Sequence, residues 1–87
     1  MRDSLVQVPA DLDVVVASSK VRYFGGKARA VSSRSKVGPF DVLPLHENFI
    51  SLIYEKVVVF DERGQDHNFA CRHGILAVCE NKVRVFI

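Results

Sequence analysis

The sequence is poor in the residues that make covalent staples, metal centres and membrane spans. Its 87 residues hold two cysteines, Cys71 and Cys79, both in apolar strand-like runs. A disulfide framework needs more than this and a metal site needs about four ligands, so both are expected as buried free thiols. The three histidines, His46, His67 and His73, are far apart, with no HxH, HxxxH or CxxC spacing among them. No metal site is expected. No apolar run approaches the roughly 20 residues that cross a bilayer, so direct membrane insertion is not expected. Met1-Arg2-Asp3-Ser4 has no apolar signal core behind it, which argues against secretion.

Catalytic patterns are missing too. Ser32, Ser33 and Ser35 have no G-x-S-x-G setting to activate them. Asp61 and Glu62 are adjacent on a loop tip, where two carboxylates point apart into water. Gly25-Gly26 stands alone and makes no phosphate loop. No catalytic residue and no cofactor is assigned, and the chain is expected not to be an enzyme.

Charge is sparse and unevenly placed. The net charge is +2, too small to argue for nucleic acid. Between Val14 and Phe40, however, lie Lys20, Arg22, Lys27, Arg29, Arg34 and Lys36 with no acid. Such a field can steer an acidic partner, although a solvated basic face is the plainer reading. Tyr23 and Phe24 are too few for a base-stacking platform.

What the chain has in quantity is strand-forming residues, with fifteen valines and six phenylalanines. Residues 1–10 are expected to be a loose arm ended by Pro9, or an edge strand at Leu5–Val8. Leu12–Ala17 is a valine-rich strand, and Val21–Phe24 another. Gly25-Gly26 signals a hairpin or bulge, with Lys27–Val31 returning antiparallel, Ala28 and Ala30 inward. Phe49–Ile53 is mainly strand, with a single helical turn at His46–Phe49 as the alternative. Lys56–Phe60 is a strand, and Asp61–Gln65 a charged hairpin loop. His67–Arg72 returns, Gly74 interrupts and Ile75–Cys79 resumes. Glu80-Asn81-Lys82 turns the chain into Val83–Ile87, with Val83, Val85 and Ile87 on one face. This predicts an all-β fold, a two-sheet antiparallel sandwich of eight to ten short strands, in one domain spanning residues 1–87.

The chain is organised around Gly38–Phe49. Pro39 and Pro44 each fix φ near −65° and lack an N–H, so they bracket Phe40–Leu43 as a short extended piece. His46 then sits on a rigid corner.

Gly38–Phe49 followed by Gly74–Phe86 (GILAVCENKVRVF) resembles the N-terminal β-sandwich domain of the epsilon subunit of F-type rotary ATP synthases. Val42, Pro44 and His46 fall on that family's apolar-Pro-Gly-His corner, Gly74-Ile75-Leu76 on its second glycine and strand, and Asn81 on its turn. The likeness runs from about Leu12 to Ile87. It implies a non-catalytic central-stalk component that binds the gamma subunit and the membrane rotor ring of c subunits. It places Asp41, Leu45, His46 and Asn48 on a partner-binding face. Arg34, Lys36, Pro39 and Phe40 would form the ring-facing loop. Localisation would be peripheral, at the cytoplasmic face of the inner or plasma membrane. The family's C-terminal helical hairpin has no counterpart in residues 1–87, and inhibition by it is not carried over. Asp41 and Leu45 replace small glycines of the family, Pro39 its acidic loop position, and Arg72-His73 its Ser-Gly. A stand-alone sandwich adaptor is the first alternative, and a basic nucleic-acid-binding barrel the second.

Overall fold

A computed structural model describes residues 11–87; the expected arm and the Leu5–Val8 strand lie outside them. The described residues form six strands and no helix: β1 Leu12–Ala17, β2 Arg22–Arg34, β3 Pro39–Val42, β4 Phe49–Asp61, β5 Asp66–Cys79 and β6 Lys82–Phe86. Their order is β1-β6-β5-β4-β2-β3, and β1 also pairs with β2. That last pairing closes five strands into a barrel. β3 lies beside the C-terminal half of β2, and β1 beside its N-terminal half. The β1–β6 pair is parallel and the other pairs are antiparallel.

The all-β reading holds, but the expected eight to ten short strands in two antiparallel sheets do not: the described residues form six strands in one sheet that closes on itself, with one parallel pair. Three strands of 13, 13 and 14 residues replace pairs of short ones. Gly25 and Gly26 do not turn the chain; they stay in β2, opposite Val15 and Val14 of β1. His73 and Gly74 stay in β5, opposite Tyr54 and Ile53. A bulge bends a strand and sharpens its twist without ending it. Register shifts at Ala28/Ala30 and Tyr54/Glu55 mark such bends. Each long strand thus passes from one packed half of the fold to the other. The expected reversal at Gly74, with Cys71 opposite Leu76 and Cys79 opposite Asn68, is replaced by Cys71 opposite Glu55 and Cys79 opposite Lys82. Both thiols are free. Eight residues apart on one strand, they are separated by roughly 26 Å, far beyond disulfide reach. Neither is fully buried: Cys71 is half-buried and Cys79 exposed.

The core follows the period of two. Leu12, Val14 and Val16 face inward from β1, Ala28 and Val31 from β2, Val42 from β3, and Ile53, Val57 and Val59 from β4. Leu76 and Val78 of β5 and Val83 and Val85 of β6 complete it. Each fully buried valine or leucine contributes about 1.5–3 kcal/mol relative to exposure, so this small core is held by many moderate contributions. Among the described residues Ser33 is the one buried polar side chain, and it donates its hydroxyl to the Lys56 carbonyl at 2.8 Å. Gly74 sits where β5 passes the end of β6, and a side chain there would run into the Phe86 carbonyl oxygen.

Candidate partner-binding face

The corner forms for local reasons. Leu43 accepts a hydrogen bond from the His46 N–H at 3.1 Å, and Leu45 has φ 70°. This is a turn with proline at its second position and a left-handed third, the place that favours glycine. Leucine there costs about 1–2 kcal/mol of steric strain, and its side chain is 63% exposed. No helical turn forms at His46–Phe49; the strand begins directly at Phe49.

Two asparagines fasten the corner to the β5–β6 turn. Asn81 Oδ1 accepts from the Leu45 N–H at 2.7 Å, and Asn48 Oδ1 accepts from the Glu80 N–H at 2.9 Å. Glu80 and Asn81 have φ 50° and 65° between the paired residues Cys79 and Lys82, as a two-residue type I′ hairpin requires. The two connections therefore brace each other across 36 and 32 residues of sequence.

The four residues expected on a partner-binding face divide into two kinds. Asp41 accepts from the Ser32 hydroxyl across the β2–β3 pair, and Asn48 holds Glu80, so both have structural duties. Leu45 and His46 are exposed. The His46 ring lies 4.8 Å from that of Phe49, with Nδ1 2.9 Å from the Glu47 carbonyl. Of the expected ring-facing loop, Arg34 ends β2, Lys36 lies in the hairpin tip, and Pro39 opens β3. Phe40 is half-buried, packed on the core and edge-on to Phe49 at 5.8 Å. The structure brings together only His46 of the first set with Pro39 and Phe40 of the second: these three, with Val37 and Phe49, line one depression of about 400 Å³, and Asp41, Leu45, Asn48, Arg34 and Lys36 are not in its lining.

Sequence reasoning missed a larger surface. Leu52, Ile75 and Phe86 are directly paired across β4, β5 and β6, and they are 58%, 46% and 60% exposed. One step toward the corner, Ile50 pairs with Ala77, and Ile50 is 76% exposed. On the parallel neighbour β1, Ala17 stands beside Phe86. An apolar row thus crosses the outer face of four strands, where polar residues would ordinarily meet water. The corner closes one end of this face, because the turn that follows β5 carries Asn81, which holds the Leu45 N–H. Alternation within each strand was readable, but only the register puts these side chains side by side.

Electrostatics are concentrated at the opposite hairpin. Asp61 Oδ1 accepts from the N–H groups of Arg63 and Gln65 at 2.8 and 2.9 Å, and Oδ2 lies 2.8 Å from His67 Nε2. The His67 bond, then the Gln65 N–H, hold the Asp61 carboxyl below the ordinary aspartate range. The Phe24 ring packs 4.9 Å from His67. This is a turn-capping carboxylate. Burial raises the Cys71 thiol. Among the described residues no three His, Cys, Asp or Glu side chains are grouped to hold a metal ion, and no helix is long and apolar enough to cross a membrane.

The described residues thus form a closed β domain with a braced corner and an exposed apolar row. The family model described as ATP synthase, delta/epsilon chain, beta-sandwich domain matches residues 11–87, and the chain belongs to that family. No curated protein matches. Among solved structures, a chain of the Euglena gracilis mitochondrial ATP synthase, determined with its c-ring, superposes with a TM-score of 0.84 at 18% identity. The match covers 93% of this chain and 52% of that one. A chain from the central stalk and c-ring of the Tetrahymena thermophila mitochondrial ATP synthase gives 0.73 at 7% identity, covering 93% and 65%. The chain therefore spans about half of the first and about two thirds of the second, and at such identities the likeness is one of fold.

Proposed function

We propose that this chain is a non-catalytic component of the central stalk of a rotary, proton-translocating ATP synthase. It forms a single epsilon-like domain that docks on the gamma subunit and turns its β2–β3 tip toward the ring of c subunits. Its place is peripheral, on the cytoplasmic face of the membrane, reached through the complex. Family membership and fold support this reading. The observation that carries it is the apolar row Ile50, Leu52, Ile75 and Phe86. Exposed apolar patches of this kind mark protein–protein contacts on domains that otherwise cover their strands with polar groups.

Gamma docking by this row, with Leu45 and His46 at its margin, extends the contact beyond the corner residues Asp41, Leu45, His46 and Asn48. Leu45 fits that role physically. A strained backbone and an exposed leucine together disfavour the free chain, and a partner that buries the side chain offsets both. The ring-facing role falls to Arg34, Lys36 and Pro39, with Phe40 supporting them from the core side. The test is a binding titration against the gamma subunit of the same synthase. Saturable association supports the reading; no association of the folded chain assigns it instead to an adaptor in another assembly.

A further inference from the structure

Beside the β2–β3 tip lies a second depression, of about 480 Å³, lined by Arg34, Ser35, Lys36, Tyr54, Glu55 and Arg72. Its cations come from three separate places: the end of β2, the hairpin tip and the middle of β5. Three cations against the single acid Glu55 leave a net charge of +2 in the lining. Arg34 approaches Glu55 at 3.8 Å, with both side chains half-exposed or more, which is a loose pair. Among the described residues no acid is paired with Lys36 or Arg72.

The backbone explains why Arg72 points here. Tyr54 pairs with His73 and Glu55 with Cys71, so Arg72 is the extra residue of a bulge. Bulges re-aim a side chain out of the regular alternation. Opposite it, Glu55 takes φ 73°, a strained conformation for a non-glycine residue. The other wall is equally fixed. Ser35 and Gly38 exchange backbone hydrogen bonds at 2.9 and 3.1 Å, and the Ser35 hydroxyl accepts from the Val37 N–H at 3.2 Å. That tip turns Val37, 99% exposed, toward the first depression rather than this one.

We propose that this depression binds an acidic polypeptide segment, its carboxylates received by Arg34, Lys36 and Arg72. Arginine forks and a lysine suit carboxylates, and Tyr54 in the lining carries one further hydroxyl donor, whereas the Ser35 hydroxyl is already donated to the Gly38 carbonyl at 3.3 Å. The concave wall fits a peptide better than a bilayer surface, which rewards cations spread in one plane. The inference deepens the stalk reading at the ring-facing tip: it rests on that reading for the partner's identity, but not for its chemistry.

The test uses the isotope-labelled chain, followed by amide chemical shifts while a hexaglutamate peptide is added at low salt. Parallel arms use inorganic phosphate and phosphatidylglycerol vesicles. Expected are shifts at Arg34, Lys36 and Arg72, and at least a tenfold loss of affinity in Lys36→Glu/Arg72→Glu. Lys36→Gln/Arg72→Gln guards against a variant that fails to fold and should lose affinity in the same direction. Lys20→Glu/Arg22→Glu, also basic but remote in sequence, should bind as wild type. Equal loss in that control, or no shift with the peptide, overturns the proposal. Binding of phosphate or vesicles without the peptide replaces it with a phosphate or lipid site. Gamma-subunit binding is measured separately on the same variants. Its absence with peptide binding intact refutes the stalk reading alone, and the converse refutes only the acidic cleft.

Discussion

Replacing Gly74 with alanine adds one carbon at the tightest approach between β5 and the end of β6. That carbon would collide with the Phe86 carbonyl oxygen and stand 3.1 Å from Ile87 Cγ2. The oxygen belongs to backbone that cannot swing aside, because Phe86 is the last residue of β6, paired with Ile75, and the Ile87 N–H is held by the Ala17 carbonyl at 3.0 Å. Relief requires β5 and β6 to separate locally. Overpacking of this kind costs about 1–3 kcal/mol, of which the reduced entropy of the unfolded chain returns about 0.4–1 kcal/mol. In a domain of this size each kcal/mol moves Tm by roughly 4–8 °C. Gly74→Ala is therefore expected to lower Tm by about 5–15 °C, and Gly74→Val by more. Gly26→Ala is the control. Its added carbon meets only the Phe24 ring at 3.8 Å, an ordinary contact, so Tm should hold or rise slightly. Thermal unfolding by circular dichroism reads all three. A Gly74→Ala melt within about 2 °C of wild type would refute the crossing described here.

Leu45→Gly should stabilise the isolated chain by about 0.5–1 kcal/mol in urea unfolding, since relief of the left-handed strain exceeds the entropy glycine adds to the unfolded state; destabilisation would contradict the turn geometry. Asn81→Ala removes both the acceptor for Leu45 N–H and a residue that tolerates positive φ, and should cost about 1–3 kcal/mol. Asn81→Gly restores the turn without the acceptor and should recover part of that loss, whereas equal stability of the two variants would deny the clamp a role. Asp61, held below the ordinary range by His67 and Gln65, stabilises the fold fully above about pH 4, the unfolded aspartate value. That contribution disappears as pH falls through the lower folded value. Asp61→Asn should accordingly be less stable than wild type at neutral pH, with the gap narrowing in acid; a constant gap from pH 7 to 2 would show the carboxylate is not the cause.

Valine alternation in Leu12–Ala17 and Val83–Phe86, and the loops at Asp61–Gln65 and Glu80–Asn81, were legible because they are local. Proline at 39 and 44 bracketed β3 to within a residue. The glycines misled. A Gly-Gly pair or His-Gly step reads as a turn when it stands alone, but here the neighbouring strand keeps both extended, and a bulge supplies the bend instead. Register was the other missing quantity. It decides that Leu52, Ile75 and Phe86 share a row, and that Asn48 and Asn81, 33 positions apart in the sequence, brace one corner. His46 stood out from its setting between two bends, whereas the apolar row had no signature within any single strand.

The central claim is that the outer face of β4, β5 and β6 docks on the stalk, and calorimetric titration against the gamma subunit tests it most directly. Four chains are compared: wild type, Leu52→Asp/Phe86→Asp on the row, Leu45→Asp/His46→Asp on the corner, and Lys27→Glu/Arg29→Glu on β2, each checked for folding by circular dichroism. Both substituted pairs on the face are exposed, so the fold should survive. The account predicts a loss of at least about 2 kcal/mol for the row variant, the scale of an interface hot spot. The corner variant should show a comparable or smaller loss, and the β2 variant none. Undiminished affinity in folded row and corner variants, with the loss falling on Lys27 and Arg29, would contradict it.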